Sequence, residues 1–334
     1  MGSENRHLLR IRNLHTYFFL DEGVLKAVDG IDLDLREGET LGIVGESGCG
    51  KSVTALSILQ LIPSPPGKIV KGEIYFEGTD LLALSEAEMR KIRGRSISMI
   101  FQEPMTCLNP VFQVGDQISE ILRLHERISR KEAWERSIEM LKRVGIPSPE
   151  RRVKEYPHHL SGGMRQRAMI AMAVACSPKL MIADEPTTAL DVTIQAQILE
   201  LMTHLKEEKA MSLILITHNL GVIAETARNV MVMYAGRIFE YADVRSIFVN
   251  PRHPYTQGLL NSIPRVDRED TKKERLEAIP GLVPSLLDLP EGCKFLERCK
   301  YAFHPCAGGE PPLRENNSGH FVRCWLYESL ASAD

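Results

Sequence analysis

The chain has 334 residues, of which 43% are hydrophobic and 25% charged, the balance of an ordinary globular protein. At about 150 residues per domain, this length predicts roughly two domains. The 41 basic and 44 acidic residues leave a net charge of −3, so we expect no nucleic-acid binding, which usually needs a basic excess. No apolar run approaches the ~18–20 residues of a spanning helix, and the first residues lack the apolar core of a signal peptide. We therefore expect a cytoplasmic protein, or one that reaches the membrane through partners.

Apolar runs separated by glycine and proline predict alternating strands and helices along the first ~245 residues. Strands are predicted at 8–19, 26–35, 40–45, 97–102, 179–186 and 212–218, with a short strand pair at 72–81 and a hairpin at 230–240. Helices are predicted from Lys51 onward, at 115–145, at 162–176 and at 192–209, and a loop is predicted at 63–72. This alternation predicts a largely parallel sheet with helices on both faces.

The composition changes after residue ~245. Nine prolines lie from Pro251 to Pro312, and four of the seven cysteines fall within the last 42 residues. We expect a small, loop-rich appendage here. In a reducing cytoplasm, clustered cysteines suggest a metal or iron–sulfur site before they suggest disulfides.

A glycine-rich segment, GESGCGKS at 45–52, has the pattern G-x-x-x-x-G-K-S between a predicted strand and a predicted helix, which is the context of a P-loop. Its glycines permit backbone angles that turn N–H groups toward a phosphate, and the helix start adds a positive end. In this motif Lys51 reaches the β- and γ-phosphates and Ser52 ligates Mg²⁺. The predicted ATP-binding residues are Gly45, Glu46, Ser47, Gly48, Cys49, Gly50, Lys51, Ser52 and Val53.

Two adjacent carboxylates end the apolar strand LMIADE at 180–185. Because side chains alternate along a strand, Asp184 and Glu185 should point different ways. Asp184 can then hold the hydration shell of Mg²⁺, while Glu185 faces an attacking water.

A third segment, LSGGMRQR at 160–167, opens a helix with one serine and two glycines. This is a second anion-binding helix start, without a lysine of its own. Because one nucleotide has little use for two phosphate cradles, we expect this one to serve the nucleotide of a neighbouring subunit.

These motifs together resemble those of the ATP-binding cassette (ABC) ATPases. GESGCGKS resembles the Walker A motif, LMIADE the Walker B motif and LSGGM the family signature. Gln102 in MIFQEP resembles the Q-loop glutamine, Asp191 in ALD lies in the segment that resembles the D-loop, and His218 in LITHNL resembles the H-loop histidine.

The resemblance implies roles for these residues. Ser52, Gln102 and Asp184 would hold Mg²⁺, Glu185 would polarise water, and His218 would contact the γ-phosphate, so that Glu185, His218 and Gln102 form the catalytic set. An aromatic residue would stack on adenine, with Phe18 favoured and Tyr17 the alternative. Across a head-to-tail dimer, the partner's ATP would be met by Ser161, Gly162, Gly163 and Met164.

The fold implied is an α/β P-loop NTPase core with an antiparallel β subdomain, a helical subdomain and a small loop-rich C-terminal domain. We expect the ABC nucleotide-binding domain at 8–245, with its helical subdomain at about 105–175. The C-terminal extension would follow at 246–334.

A closer resemblance is to the ATPase subunits of dipeptide and oligopeptide importers, a group that includes nickel importers. NPRHPYTQGLLNSIP at 250–264 resembles the segment that follows the cassette in that group. The partners implied are a second, different ATPase chain, two transmembrane permease subunits and an extracytoplasmic substrate-binding protein. This chain would lie at the cytoplasmic face of the membrane. In this group the segment from Gln102 to Gln117 abuts the permease.

The cysteine-bearing tail, GCKFLERCKYAFHPC…VRC, resembles one that holds a [4Fe-4S] cluster in this group. The four thiols, Cys293, Cys299, Cys306 and Cys324, have the spacing C-x5-C-x6-C-x17-C, without the C-x2-C knuckle usual for structural zinc. We expect a [4Fe-4S] cluster with a structural role, the alternatives being zinc, free thiols or disulfides, and a redox-sensing role.

Two further alternatives are a soluble ABC ATPase in DNA repair or translation and a redox-sensing regulator. Repair members carry long coiled-coil insertions in the cassette, but Lys51 and Asp184 are only 133 residues apart. Translation members have two cassettes per chain, and this chain has one P-loop.

Cys49 stands where the P-loop more often has serine. It is either a neutral replacement or a thiol whose pKa the helix start lowers.

Overall fold

The structure is a computed structural model that describes residues 7–102, 107–188, 190–262, 279–317 and 319–327. Its strands are β1 (His7–Leu20), β2 (Gly23–Arg36), β3 (Thr40–Val44), β4 (Gly67–Phe76), β5 (Thr79–Asp80), β6 (Ile97–Ile100), β7 (Leu180–Asp184), β8 (Ser212–Ile216), β9 (Asn229–Tyr234), β10 (Arg237–Asp243), β11 (Arg314–Asn317) and β12 (His320–Val322).

The α-helices are α1 (Lys51–Ile58), α2 (Glu86–Ile92), α3 (Val114–Glu126), α4 (Arg130–Arg143), α5 (Pro149–Arg152), α6 (Gly162–Val174), α7 (Val192–Lys209), α8 (Leu220–Thr226), α9 (Val244–Val249), α10 (Pro254–Asn261) and α11 (His304–Gly308). Single 3₁₀ turns lie at Leu81–Ala83, Pro157–His159, Leu296–Arg298 and Trp325–Tyr327. Within the described ranges, no helix combines the length and the apolar character needed to cross a bilayer.

The chain forms two compact units that interleave along the sequence. The first unit holds Leu35–Thr40, Phe76–Ile216 and the start of the chain up to Leu9. The second unit holds Arg10–Asp34, Leu41–Tyr75 and the chain from Thr217 onward.

In the second unit, the short apolar strand β3 is buried along its whole length, as expected of a central parallel strand. It runs parallel to β9, with Leu41 opposite Asn229 and Val44 opposite Val232. A tight turn at Ala235 and Gly236, both with positive φ, then joins β9 to the antiparallel strand β10. The hairpin predicted at 230–240 is therefore present. Strands β1, β2 and β4 are neighbours in a further sheet, in the order β2-β1-β4.

In the first unit, β6, β7 and β8 form parallel pairs in that order. Strands β7 and β8 are fully buried, which explains why their sequences are continuous apolar runs. Helices α3, α4 and α6 pack against one another through buried side chains that include Ile118, Leu122 and Leu141. The predicted parallel strands and flanking helices are therefore present.

Two local predictions need correction, and one helix was missed. Residues 67–71 belong to β4 and not to a loop; they are mostly exposed there, so no apolar alternation marks the strand. The seven-residue helix α2 was not predicted, although Ser85 and Glu88 form a capping box at its start. The stretch 115–145 is two helices, because Arg127 takes a left-handed conformation (φ 57°) and the Ser129 hydroxyl caps the next helix.

The C-terminal segment continues the sheet of the second unit. Strand β12 pairs antiparallel with β10, with Val322 opposite Glu240. The fully buried Glu240 accepts hydrogen bonds from the backbone N–H groups of Arg252 (2.6 Å) and His253 (2.9 Å) and from His320 Nε2 (2.7 Å). This carboxylate anchors both the residues after the cassette and the end of the tail, because a buried charge needs such partners.

Candidate nucleotide site

The glycine-rich loop lies between β3 and α1, as its pattern predicted. Gly45 and Gly50 have φ values of 152° and 102°, in a region that L side chains rarely adopt. A Cβ at Gly45 would lie 2.2 Å from the Met233 carbonyl oxygen, and one at Gly50 would lie 2.2 Å from the Ala27 carbonyl oxygen. Only glycine fits at these two positions, so the loop is held in one conformation against β2 and β9.

Lys51 is folded back onto this loop. Its Nζ donates to the carbonyl oxygens of Gly45 (2.8 Å) and Glu46 (3.0 Å), and only 5% of the residue is exposed. Ser47 and Gly48 at the tip of the loop are exposed, and Ser52 and Val53 at the helix start are half-buried. An ammonium group beside exposed backbone is an arrangement that can bind a polyphosphate.

Cys49 is fully buried in the loop. Burial raises the pKa of its thiol, although the Lys51 ammonium acts in the opposite direction. A raised pKa keeps the thiol neutral, so it supports the interpretation of Cys49 as a neutral replacement for serine and not as a reactive thiolate.

Glu46 is held by two residues that were not among the predicted site residues. Its backbone N–H donates to the Tyr255 hydroxyl at 2.9 Å, and its carboxylate pairs with Arg298. No short-range pattern indicates either partner, because both lie more than 200 residues further along the chain.

The predicted adenine-stacking residues lie on β1. This strand is tied to α1 by a hydrogen bond between Thr16 Oγ1 and Ser57 Oγ at 2.8 Å. Phe18 is half-buried, and the Tyr17 hydroxyl donates to Asp29. Phe19, which was not predicted, is 50% exposed. Stacking on adenine by Phe18, or by Tyr17, stays a prediction.

His218 is exposed and follows β8. The neighbouring Thr217 donates its backbone N–H to the Ile43 carbonyl at 3.2 Å, which ties this segment to the strand that enters the glycine-rich loop. Asn219 caps α8 by accepting from the Gly221 N–H at 3.0 Å. The contact of His218 with a γ-phosphate stays a prediction.

In the first unit, Gln102 and Glu185 come together from positions 83 residues apart. Gln102 Nε2 donates to Glu185 Oε2 at 3.0 Å, and the same oxygen accepts from Thr188 Oγ1 at 3.0 Å. Asp184 is 3% exposed at the end of β7, whereas Glu185 is half-buried with a φ of 46°. The two carboxylates therefore differ in environment, and Glu185 is oriented by two donors, of which Thr188 was not predicted.

The remaining predicted residues begin two helices of the first unit. Ser161 is the N-cap of α6, with its Oγ accepting from the Met164 N–H at 3.3 Å; Ser161 and Gly162 are exposed, and Gly163 and Met164 are half-buried. Asp191 caps α7 by accepting from the Ile194 N–H at 2.9 Å. In the segment ALD, Ala189 lies outside the described residues.

The prediction of a [4Fe-4S] cluster is wrong. Within the residues that the structure describes, which include all four tail cysteines, no group of three or more His, Cys, Asp or Glu side chains could hold a metal ion. The four cysteines are free thiols in a small pocket that Phe295 and Trp325 also line.

The chemistry of these thiols gives a physical reason. Burial raises the pKa of Cys293 to about 11 and that of Cys324 to about 12, and it raises the pKa of Cys299 as well. Cysteine ligates metals as the thiolate, and burial makes ionisation of these three thiols less favourable. The zinc alternative is contradicted by the same absence of a metal-holding group among the described residues, and the alternative of free thiols agrees with the structure.

Comparison with known proteins places these features in one family. A family model described as "ABC transporter" matches residues 28–188, and one described as "Oligopeptide/dipeptide transporter, C-terminal region" matches residues 239–306. Among solved structures, the chain is similar to the dimeric ATP-binding cassette MJ0796 in a post-hydrolysis state with ADP and Pi, with 28% identity and a TM-score of 0.64 over 71% of this chain and 99% of that chain.

Relatives that align with nearly the whole chain have names that agree with these family models. A probable peptide ABC transporter ATP-binding protein, y4tR of Sinorhizobium fredii, is 56% identical over 95% of this chain and 94% of its own length. The oligopeptide transport ATP-binding protein AppD of Bacillus subtilis is 53% identical over 96% and 97%, and the dipeptide transport ATP-binding protein DppD of Bacillus subtilis is 50% identical over 97% and 96%. The chain therefore belongs to the ATP-binding cassette ATPases, within the group of peptide-transporter ATP-binding subunits.

Proposed function

We propose that the chain is the ATP-hydrolysing subunit that energises import of dipeptides or oligopeptides across a membrane. The observation that carries this proposal is the glycine-rich loop with Lys51 folded onto it, followed in the same chain by the segment that matches the oligopeptide/dipeptide transporter model. The names of the relatives that match nearly the whole chain support the peptide substrate.

In this proposal the substrate is MgATP, bound first at the glycine-rich loop. Lys51 exchanges the carbonyl oxygens of Gly45 and Glu46 for the β- and γ-phosphates, which offer the ammonium stronger, charged acceptors. Ser52 contributes its hydroxyl to Mg²⁺, and the backbone N–H groups of residues 47–53 face the phosphates. Phe18 or Tyr17 stacks on the adenine.

Hydrolysis then needs a positioned water and neutralised charge more than covalent chemistry. Glu185 polarises the water, His218 contacts the γ-phosphate, and Asp184 and Gln102 act with Mg²⁺. The Gln102–Glu185 hydrogen bond supports a switching role for Gln102, because Glu185 would lose this donor if the amide moved to bind Mg²⁺ through its oxygen. Arrival of MgATP would release Glu185 to water.

A second cassette completes the site. The exposed start of α6 meets the ATP of the partner through Ser161, Gly162, Gly163 and Met164, with Asp191 beside the interface. ATP then closes the head-to-tail dimer and hydrolysis opens it. In the cell the partner is a second, different ATPase chain.

The permease docks on the first unit, beside the segment that begins at Gln102. Val111 is 69% and Phe112 53% exposed, and both line a groove with Trp134 and Tyr156. An exposed apolar patch of this kind is typical of an interaction surface. Residues 103–106 of the same segment lie outside the described residues.

The full assembly of the proposal contains two transmembrane permease subunits and an extracytoplasmic substrate-binding protein, with this chain at the cytoplasmic face. We also propose the ABC domain at 8–245, with the helical subdomain at about 105–175, and the extension at 246–334. The two family matches, at 28–188 and 239–306, support that division.

The experiment is uptake by cells that lack this chain and receive either the wild type or Glu185→Gln. We expect wild type to restore uptake of labelled dipeptides or oligopeptides, and Glu185→Gln to restore none, because loss of a general base slows hydrolysis about 10²- to 10⁴-fold. Glu200→Gln is the matched control, because Glu200 is an exposed carboxylate on α7. Restoration of Ni²⁺ uptake without peptide uptake, or full activity of Glu185→Gln, would overturn the proposal.

A further inference from the structure

The C-terminal segment reaches the glycine-rich loop through Arg298. Its Nη1 donates to Glu46 Oε2 at 2.6 Å and its Nη2 to Glu46 Oε1 at 2.9 Å. The two parallel bonds make a bidentate pair, the strongest and most directional form of an arginine–carboxylate contact. Because 252 residues separate the partners, the pair joins the end of the chain to the second residue of the loop.

Arg298 is itself held in place. Its Nε donates to the Pro280 carbonyl at 3.0 Å, and its guanidinium carbon lies 5.7 Å from the ring centroid of Tyr234. Nη1 also lies 3.3 Å from the Tyr234 hydroxyl, and the side chain is 5% exposed. A guanidinium fixed on several sides presents its charge to Glu46 at little further cost in side-chain entropy.

A second residue from beyond the cassette core holds the backbone of Glu46. Tyr255, on α10, is fully buried, and its hydroxyl accepts the Glu46 N–H at 2.9 Å. Glu46 is therefore fixed through both its backbone and its carboxylate. On its other side, its carbonyl oxygen accepts from Lys51 Nζ at 3.0 Å.

Glu46 places a negative charge one residue after Gly45, in a loop that has to receive a polyphosphate. A bare carboxylate there would repel ATP and compete for Lys51. We propose that Arg298 and Tyr255 are positioning residues of the nucleotide site: Arg298 neutralises Glu46 and turns its carboxylate away from the phosphates, while Tyr255 fixes the loop backbone at the same residue. This inference rests on the proposed binding of ATP at the glycine-rich loop.

The test measures the dissociation constant of MgATP for the full chain by titration calorimetry. Arg298→Met should weaken binding about tenfold, the size expected for one uncompensated charge near a polyphosphate at high effective dielectric constant. Arg298→Lys keeps the charge and should recover most of the affinity. Glu46→Gln should bind as tightly as wild type or more tightly, and Glu46→Gln combined with Arg298→Met should return close to wild type.

The sign of the Glu46→Gln effect separates this role from a purely structural one. If the pair only holds the segment to the loop, both single variants weaken binding and the double variant is no better, which would overturn the inference. Arg323→Met is the matched control, because Arg323 is a half-buried arginine of the same segment whose hydrogen bonds go to the carbonyls of Ile238 and Pro311; it should leave ATP affinity unchanged.

Two further variants separate a failure of this inference from a failure of the proposed nucleotide site. Tyr255→Phe removes one oxygen and keeps the ring, so it should weaken ATP binding about threefold even if Arg298→Met fails to fold, since one hydrogen bond of about 0.5–1 kcal/mol is lost. Lys51→Ala tests the nucleotide site itself. If Lys51→Ala binds ATP normally, the proposed site is wrong; if it weakens binding while Arg298→Met and Tyr255→Phe do not, only the present inference fails.

Discussion

Thr188 contacts Glu185, the residue proposed to polarise the attacking water, and has no proposed contact with nucleotide. Its hydroxyl donates to the same Glu185 oxygen that Gln102 contacts, at 3.0 Å. We predict that Thr188→Ala lowers kcat about fivefold, because about 1 kcal/mol of orienting hydrogen bond is lost. ATP affinity should not change, since no phosphate contact is removed.

Steady-state ATPase assays and nucleotide titration of the same samples check this prediction. Thr187→Ala is the control, because the bond that Thr187 accepts, from Gln195 Nε2 at 3.1 Å, goes to its backbone carbonyl. Equal losses in both variants would mean that the effect is not specific to Glu185.

Cys49 gives a second prediction for a single residue. Because burial raises the pKa of this thiol, little thiolate is present near neutral pH, and the thiolate is the reactive form. We expect Cys49 to resist alkylation by iodoacetamide in the folded chain at pH 7.5, followed by peptide mass spectrometry, and Cys49→Ser to bind ATP like wild type. Rapid labelling of Cys49 before unfolding would contradict this.

Within the elements, the glycine-rich loop depends on close backbone contact. Gly50→Ala would place a Cβ 2.2 Å from the Ala27 carbonyl oxygen, at a φ of 102°. We predict a loss of about 3 kcal/mol in unfolding free energy, from left-handed strain and steric overlap together. Gly48→Ala is the matched control, since its φ is 77° but nothing lies within 4 Å of the added Cβ; it should cost about 1 kcal/mol of strain. Urea unfolding of both variants measures the difference, and equal midpoints would refute the argument.

The anchor of β12 on β10 makes stability depend on pH. Burial by itself would raise the pKa of Glu240, but hydrogen bonds from His320 and from the backbone N–H groups of Arg252 and His253 outweigh it and leave the pKa lowered. A carboxyl whose folded-state pKa is lowered contributes stability above its unfolded pKa, near 4.3, and loses it as the pH falls through the folded value.

Glu240→Gln should therefore destabilise the chain by about 3 kcal/mol at pH 7. The gap to wild type should narrow as the pH drops below about 4. Urea unfolding across this range checks both points. Glu200→Gln, which changes an exposed residue, is the control and should leave stability at pH 7 unchanged. A gap that widens in acid would show that Glu240 is not the group responsible.

At the scale of the whole molecule, the proposed composite site makes hydrolysis depend on pairing of chains. We predict that the isolated chain is largely monomeric without nucleotide, and that its specific ATPase activity is low and rises with protein concentration. Association of two chains limits the rate in that regime. Activity measured over a hundredfold range of concentration, with light scattering of the same samples, checks the prediction. High specific activity that does not vary with concentration would contradict a site shared between chains.

The features that could be predicted from short segments are those whose chemistry is local. A phosphate-binding loop needs glycine angles, a lysine and a hydroxyl within eight positions, and a buried parallel strand needs a continuous apolar run. For this reason β3, α1, β7 and α7 lie where their residues indicate, and the family resemblance agrees with the whole-length relatives.

Tertiary structure alone decided the contacts that join distant residues and the charge states that burial sets. Gln102 meets Glu185 across 83 residues, and Arg298 meets Glu46 across 252. No periodicity indicates either pair; the family resemblance placed Gln102 and Glu185 in one site, and no motif indicated the contact between Arg298 and Glu46. The four tail cysteines are close in sequence and resemble a cluster-bearing tail, but the binding of metal by thiols depends on how they are arranged and on their ionisation. Spacing does not contain this information, because the surroundings of each sulfur are made by residues elsewhere in the fold. Burial in those surroundings raises the pKa of Cys293, Cys299 and Cys324.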